Sequence, residues 1–407
     1  MPSKPSKPAS KKPARPSADG ARAPANGHPS KPTPEPDALK SLREKIDALD
    51  HTLIELLNKR ARLVVEVGKV KRATGTPVYA PHREAQVLSR VLAHNHKAGG
   101  PLPDRTIEGI YRELMSGSFR LELPMRVGYL GPPGSYSHLA AVKQFGTSVD
   151  FEDLRAIAGV FDEVARGHVD CGLVPIENSI GGGIAETMAA FQEFHTQVNV
   201  YAEVQIEVHH ALLANCPPSA VKEIHSKPEV FTQCRNWLAT QYPHAKLIPE
   251  ASSSSGVKLA AEAGPESGIA AIGSKLAAEI YGVTILFENI EDQSQNITRF
   301  YVISRQKAQP TPKNAEGKSD DKTAIMFATT NEPGALVNVL AVFQRAGINL
   351  THIDKRPSGR SNWQYTFFID AEGHIDDPWF GAAIQQARGL SRDLHVLGSF
   401  PRSRRIL

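Results

Sequence analysis

The 407-residue chain is 41% hydrophobic and 22% charged, the balance of a globular protein long enough for two or three domains. No apolar run approaches the roughly 20 residues needed to span a bilayer, and no membrane partner is expected. The formal charge of +4 resolves into a basic stretch over residues 1–36, with seven Lys or Arg against two acids, and a remainder of −1, which sets nucleic acid aside.

Residues 1–36 contain ten prolines and almost nothing that can be buried, and read as a disordered, solvated arm. A transit peptide is the alternative, but the prolines forbid its amphipathic helix, and a secretory signal would need an apolar core. Cys171, Cys216 and Cys234 have neither metal-ligand spacing nor a paired framework, which suits a reducing cytoplasm. Fifteen scattered histidines form no HExxH or comparable cluster, so neither metal nor cofactor is expected.

Over residues 38–73, Leu42, Ile46, Leu49, Leu53, Leu56, Leu57, Leu63, Val67 and Val70 recur at helical spacing without a proline. They predict a helix about 50 Å long, more than one small domain covers alone. Pro77 and Pro81 interrupt it, and further helices are predicted over 83–96 and 104–121. The segments LREKIDALD, NKRARLVVEVGKVK and HREAQVL resemble the all-α chorismate mutase domain that precedes a dehydratase in bifunctional proteins. Over residues 37–123, the resemblance implies that Arg43 and Arg60 hold the carboxylates of chorismate, Lys71 its ether oxygen and Glu84 its 4-hydroxyl, with Arg83 and Ser118 lining the site. Two positions depart from the family. Ala80 replaces an Asp and offers only its backbone. Glu122 replaces a Gln as second ether-oxygen donor and donates only while protonated, so mutase activity is expected to fall as Glu122 ionises.

Helix geometry bears on these cations. Arg60 and Lys71 lie about 16 Å apart along a helix and within about 20° of one face, whereas Arg43 lies about 25 Å from Arg60 on another face. Arg43 is therefore expected to serve the site of a second chain, in a homodimer of intertwined helices. The reaction is a pericyclic rearrangement that needs orientation and charge stabilisation but no nucleophile, which accounts for a site built of cations.

Residues 125–305 alternate strand and helix patterns. MRVGYL leads into the glycine turn GPPGSYSHLAA, which lacks the Lys and Ser/Thr of a P-loop, and an apolar run from Cys171 is expected to break at Pro175 into the loop ENSIGGG. An α/β domain is predicted. GYLGPPGSYSH, CGLVPIENSIGGG, HSKPEVFTQC and NITRF stand in the order and spacing of prephenate dehydratases. This resemblance implies a two-lobed α/β fold with the site in the cleft, formed by Asn178, Ser226, Gln233, Glu250 and Thr298, with Ser135 and Arg299 also holding the dianionic prephenate. Lys227 and Glu229 stand where His and Gln are frequent. Thr298 is expected to assist departure of the 4-hydroxyl while the others orient substrate; Glu250 has no evident role, since a carboxylate beside a dianion hinders binding.

Residues 306–321 are polar, with two prolines and a glycine, and read as a flexible linker. Residues 322–402 follow a βαββαβ order, an α+β ferredoxin-like pattern. NEPGALVNVL and IDKRP resemble the ligand-binding signatures of the ACT regulatory domain, with Asp354 and Lys355 in place of the usual Glu and Ser. The resemblance implies phenylalanine as effector, bound near Asn331, Gly334, Ala335, Leu336 and Val337, with Asp354, Lys355, Arg356 and Pro357 nearby. The whole chain is thus expected to convert chorismate to prephenate and prephenate to phenylpyruvate under phenylalanine feedback. Arogenate as the dehydrated substrate, and a two-lobed carboxylate-binding protein without catalysis, are the alternatives.

Overall fold

The computed structural model describes residues 37–313, 317–357, 365–403 and 405–407, so the arm expected over residues 1–36 lies outside them. The chain divides into two compact units after Lys59. Helix α1 (Asp37–Thr74) opens the described chain, and its residues up to Lys59 belong to the first unit. There Leu42, Ile46, Leu49, Leu53 and Leu56 are each more than half exposed.

The second unit begins with the rest of α1, followed by α2 (Pro81–Lys97) and α3 (Asp104–Glu122). Pro81 opens α2 at a first-turn position, where its missing N–H costs nothing. Within this unit α1 meets α3 at Gly68, the buried residue of α1, where a Cβ would lie 2.7 Å from the Glu122 Cα.

Two sheets follow. Elements β1 (Arg126–Leu130), α4 (Tyr136–Phe145), β2 (Asp150–Leu154), α5 (Ile157–Arg166), β3 (Cys171–Asn178), β4 (Gly182–Gly183), α6 (Ala185–Phe194) and β5 (Asn199–Glu207) build the first lobe. The chain then crosses to β6 (Ala211–Leu213), β7 (Glu223–Ser226), α7 (Pro228–Gln233), α8 (Arg235–Gln241), β8 (Lys246–Pro249), α9 (Ser253–Glu262), β9 (Ile269–Gly273), α10 (Lys275–Tyr281) and β10 (Ile285–Phe287). It returns with β11 (Ile297–Ser304), inserted between β3 and β5 and antiparallel to both. The strand orders are β2-β1-β3-β11-β5, with β4 on β3, and β10-β6-β9-β7-β8. The architecture is the expected two-lobed α/β fold.

One expectation fails locally. The strand does not break at Pro175 but runs on to Asn178. A register shift places Phe300 opposite Pro175 and Arg299 opposite Glu177, a local irregularity of the kind that admits a proline into a ladder.

The domain expected to be regulatory comprises β12 (Asp321–Ala328), α11 (Ala335–Arg345), β13 (Leu350–Pro357), β14 (Tyr365–Glu372), α12 (Pro378–Leu390) and β15 (Asp393–Pro401), with strand order β13-β14-β12-β15. Val339 and Phe343 of α11 and Phe380 and Ile384 of α12 cover one face of its sheet. From the other face Ala324, Met326, Phe368, Leu397 and Phe400 enter one continuous core with Val174, Phe191, Tyr301 and Ile303 of the first lobe. The backbone of Val200 occupies the space that a side chain at Gly398 would need.

The segment expected to be a flexible linker is anchored at several of its described residues. Ala308 is buried against the first lobe, the Thr311 amide donates to Asp321 Oδ2 over 2.9 Å, and Lys313 pairs with Asp377 at 2.9 Å. Polar composition suggested freedom, but these polar groups are partnered.

Replacing Gly68 by Val should force α1 off α3, at a cost of about 1–3 kcal/mol for overpacking. A lowered thermal midpoint, with mutase activity reduced more than dehydratase activity, is expected; an unchanged midpoint would show that the contact yields.

Candidate active sites and effector site

In the helical region, α1 and α3 bring two pairs of expected residues together. Arg60 Nη1 donates to Ser118 Oγ over 2.8 Å, and Lys71 Nζ lies 2.6 Å from Glu122 Oε2. Ser118 and Glu122 are four residues apart on α3, one helical turn, so both face α1. Glu122 thus accepts from Lys71, and its main-chain carbonyl accepts from Arg72. Beyond this pair a cavity of about 330 Å³ is lined by Lys71, Arg72, Tyr79, Glu122, Tyr201 and Arg305, among others.

The remaining mutase candidates are dispersed. Arg43 belongs to the first unit. Arg83 is exposed and bonded to Gln86, and Ala80 caps α2 through its carbonyl, which accepts from the Arg83 and Glu84 amides. Glu84 pairs with Arg112 of α3, which also donates to the Gln144 carbonyl. Arg112 was not foreseen, because nothing in its local sequence distinguishes it from other cations on that helix.

In the α/β region, β3 and β11 place Asn178 directly opposite Thr298. Asn178 Nδ2 lies 2.9 Å from Thr298 Oγ1 and 2.7 Å from Asn296 Oδ1; Asn296 Nδ2 donates to Gln233 Oε1 over 3.2 Å. Gln233 stands at the end of α7 in the second lobe, so this chain of amides spans the cleft. It continues through His210 Nε2, 2.7 Å from Gln233 Oε1, to the Tyr136 hydroxyl, 2.6 Å from His210 Nδ1. Burial lowers the pKa of His210 and raises that of Tyr136 well above the ordinary phenol value. Asn178 Oδ1 meanwhile accepts the amides of Ile180 and Gly181, shaping the glycine loop.

Ser226 is fully buried and donates to the Ile272 carbonyl, whereas Glu250 is bonded to His225 Nδ1 at 2.9 Å. Ser135 caps α4, accepting the His138 amide and donating to the Leu130 carbonyl. The turn before it is held from the second lobe, where Ser254 and Tyr281 donate to the Pro133 carbonyl and Ser274 to that of Gly134.

Arg299 does not join Thr298. Adjacent strand residues point to opposite faces, so Arg299 is turned with Tyr301 toward the regulatory sheet, where it contacts Glu177, Glu203 and Asp370. The resemblance implies that it holds prephenate; here its guanidinium lies behind the sheet and is met by carboxylates. Tyr136, His210 and Asn296 went unremarked, although Asn296 heads the NITRF motif and Tyr136 stands in GSYSH.

In the regulatory domain, Asn331, Ala335 and Leu336 line a cavity of about 180 Å³ with Thr329, Tyr365 and Phe367. Gly334, at φ +84°, opens α11, a backbone angle that favours glycine. Val337 is 66% exposed. Asp354, Lys355, Arg356 and Pro357 lie on β13: Lys355 sits over the Tyr365 ring, while Asp354 faces Gly183.

Known proteins give the fold and these clusters a context. The sequence matches three families: chorismate mutase type II over residues 42–123, prephenate dehydratase over 127–308 and the ACT domain over 323–386. Bifunctional chorismate mutase/prephenate dehydratase of Stutzerimonas stutzeri is 38% identical over 376 residues, 91% of this chain and 99% of that protein. The protein of the same name from Aquifex aeolicus is 36% identical over 90% of this chain and 99% of its own. Among solved structures, prephenate dehydratase from Arthrobacter aurescens in complex with L-Phe superposes with TM-score 0.62 at 28% identity, covering 68% of this chain and 90% of that one. GqqA, described as a novel type of quorum-quenching acylase, gives 0.61 at 27% identity over 69% of this chain and 98% of its own. The fold and order of domains are those of a two-activity enzyme carrying a regulatory module. The chain belongs to the bifunctional chorismate mutase/prephenate dehydratases, and is both an isomerase and a lyase.

Since the folded state disfavours the His210 imidazolium that an unfolded chain takes up below about pH 6.5, stability contributed by this residue is present above that pH and lost as pH falls. His210→Asn should flatten the acid side of the thermal midpoint against pH profile; a variant with the wild-type slope would remove His210 as a source of it.

Proposed function

We propose that the dehydratase reaction takes place around the Asn178–Thr298 pair, with the Thr298 hydroxyl assisting departure of the 4-hydroxyl of prephenate. The observation that carries this is the bonded series Thr298, Asn178, Asn296, Gln233, which joins a strand pair of one lobe to a helix of the other. Loss of carbon dioxide and hydroxide makes an aromatic ring, so the protein need only hold the dianion and supply a donor. Ser226 acts through its bond to the Ile272 carbonyl, shaping the end of β7, and Glu250 by orienting His225. Ser135 fixes the turn at the cleft mouth.

The mutase site is formed by Arg60, Lys71, Ser118 and Glu122, with Glu84 and Arg83 on α2, Ala80 at its N-cap and Arg43 supplied by a second copy of the chain. Lys71 donates to the ether oxygen, exchanging its contact with Glu122 for one with substrate. A homodimer is favoured by the apolar stripe of α1, where Leu42, Leu49 and Leu53 lie exposed in the first unit. Phenylalanine inhibits the dehydratase from the regulatory domain, at the cavity lined by Asn331, Ala335 and Leu336 near the loop at Gly334. Three buried free cysteines accord with a cytoplasmic setting.

GqqA is described as an acylase, and an acylase working through a serine would need that serine activated as a nucleophile. Ser226 is committed to a main-chain carbonyl, and among the described residues no histidine is bonded to it. Prephenate therefore remains the substrate of choice.

A time course of the wild-type enzyme with chorismate should show prephenate and then phenylpyruvate, with phenylpyruvate formation suppressed by phenylalanine. Thr298→Ala should abolish phenylpyruvate formation and leave chorismate consumption intact. Loss of both activities would overturn the two-site assignment, and accumulation of prephenate by the wild-type enzyme would point to arogenate. Leu49→Lys should shift the sedimentation coefficient toward a monomer and remove mutase activity; a fully active monomer would exclude the shared site.

A further inference from the structure

The face of the first sheet opposite the dehydratase residues carries a buried cluster of charges. Arg299 Nε lies 3.2 Å from Glu177 Oε2, and Nη1 lies 3.3 Å from Glu203 Oε2 and contacts Asp370 Oδ2. Lys322 Nζ is 2.9 Å from the same Glu203 oxygen, the Tyr301 hydroxyl donates to Asp370 Oδ1 over 2.5 Å, and His352 Nδ1 is 3.3 Å from Glu177 Oε2. The side chains of Glu203 and Asp370 are 0% and 1% exposed.

Membership of this cluster is divided between two domains. Glu177, Glu203, Arg299 and Tyr301 belong to β3, β5 and β11 of the first lobe; Lys322, His352 and Asp370 belong to β12, β13 and β14 of the regulatory sheet. Buried charges are tolerated only while paired, so a shift of the regulatory strands obliges their partners on the catalytic strands to move or to reorganise. Those partners have particular neighbours: Arg299 follows Thr298 on β11, and Glu177 precedes Asn178 on β3. The effector side reaches the cluster by the same alternation. On β13, His352 and Asp354 face inward, to Glu177 and to Gly183 of the glycine loop, while Lys355 on the opposite face lies over Tyr365, which lines the cavity beside Asn331 and Leu336.

We propose that Arg299 is a positioning residue that couples the regulatory sheet to the dehydratase site, rather than a ligand of prephenate. The inference rests on the assignment of Thr298 and Asn178 to that reaction. Arg299 is the only residue of the cluster that touches all three carboxylates among the described contacts, and its planar fork is what allows it; two of its nitrogens, Nε and Nη2, still lack an aligned acceptor. A state of the regulatory sheet that moves Asp370 or His352 would change which carboxylates Arg299 holds and thereby the orientation of the Thr298 strand. An effector that prefers one such state shifts the enzyme toward it.

Asp370→Asn tests this in the full-length enzyme. Phenylalanine should still bind, as followed by calorimetry, and KM for prephenate should stay within about twofold, while the half-inhibitory phenylalanine concentration rises about tenfold or more. Arg299→Lys keeps the charge and loses the fork; kcat should fall about tenfold with KM little changed, and phenylalanine inhibition should be blunted. Should Asp370→Asn fail to fold, Tyr301→Phe removes only one hydroxyl from the same carboxylate, and its inhibition curve should be displaced in the same direction. A folded Asp370→Asn or Tyr301→Phe enzyme with wild-type inhibition overturns the coupling. An Arg299→Lys enzyme with a strongly raised KM and intact inhibition returns Arg299 to substrate binding. Wild-type kcat in Thr298→Ala would instead sink the site assignment, whatever the Asp370 result.

Discussion

The insertion of β11 between β3 and β5 is the constraint on which the rest of the second unit turns. Until the chain has completed the second lobe and come back, the first sheet lacks its inner strand, and the backbone groups of β3 and β5 that face it have no partners. The return sets Thr298 opposite Asn178, residues 120 positions apart in sequence. It also divides labour by simple alternation. Thr298 lies on the face turned to the cleft, and Arg299 and Tyr301 on the face turned to the regulatory domain.

The cleft is consequently bounded by few but specific contacts. Two chain crossings, one after β5 and one before β11, join the lobes, and polar bridges supplement them: the amide series through Asn296 and Gln233, and the hydroxyls that hold the GPPG turn. Buried amides and hydroxyls fix geometry more sharply than apolar contact does, because an unmet donor or acceptor is costly. The mutase region uses a different device. Gly68 lets two helices approach until Lys71 and Glu122 meet, so that contact depends on a missing side chain as much as on those present.

Much of this was legible in the sequence, and what escaped has a common cause. Helical periodicity and proline punctuation delimited α1 to α3, and the eleven-residue spacing put Arg60 and Lys71 on one face. The βαββαβ order of the regulatory domain also followed from local pattern. Pro175 misled because a register shift is a property of strand pairing, not of the strand. Arg299 was expected beside Thr298 even though the alternation in TRFYVIS turns the two side chains apart; proximity in sequence outweighed direction. Glu203, Lys322 and Asp370 were visible as charges within apolar strands, which signals a buried partner. Which partner each would find depends on contacts between distant strands, and a single sequence does not carry that information. His210 and Tyr136 escaped for the same reason, being joined across 74 residues.

The shared core beneath the regulatory sheet bears on how such a protein can be divided. Three families meet end to end in the sequence, as if joined by fusion, and residues 306–321 look like the natural place to cut. A chain ending there would bare Tyr301 and Ile303 to water and leave Arg299 without Asp370. The seam in the gene and the seam in the folded protein are not the same. The regulatory sheet forms part of the catalytic domain's interior, and losing it would require that domain to acquire a new surface.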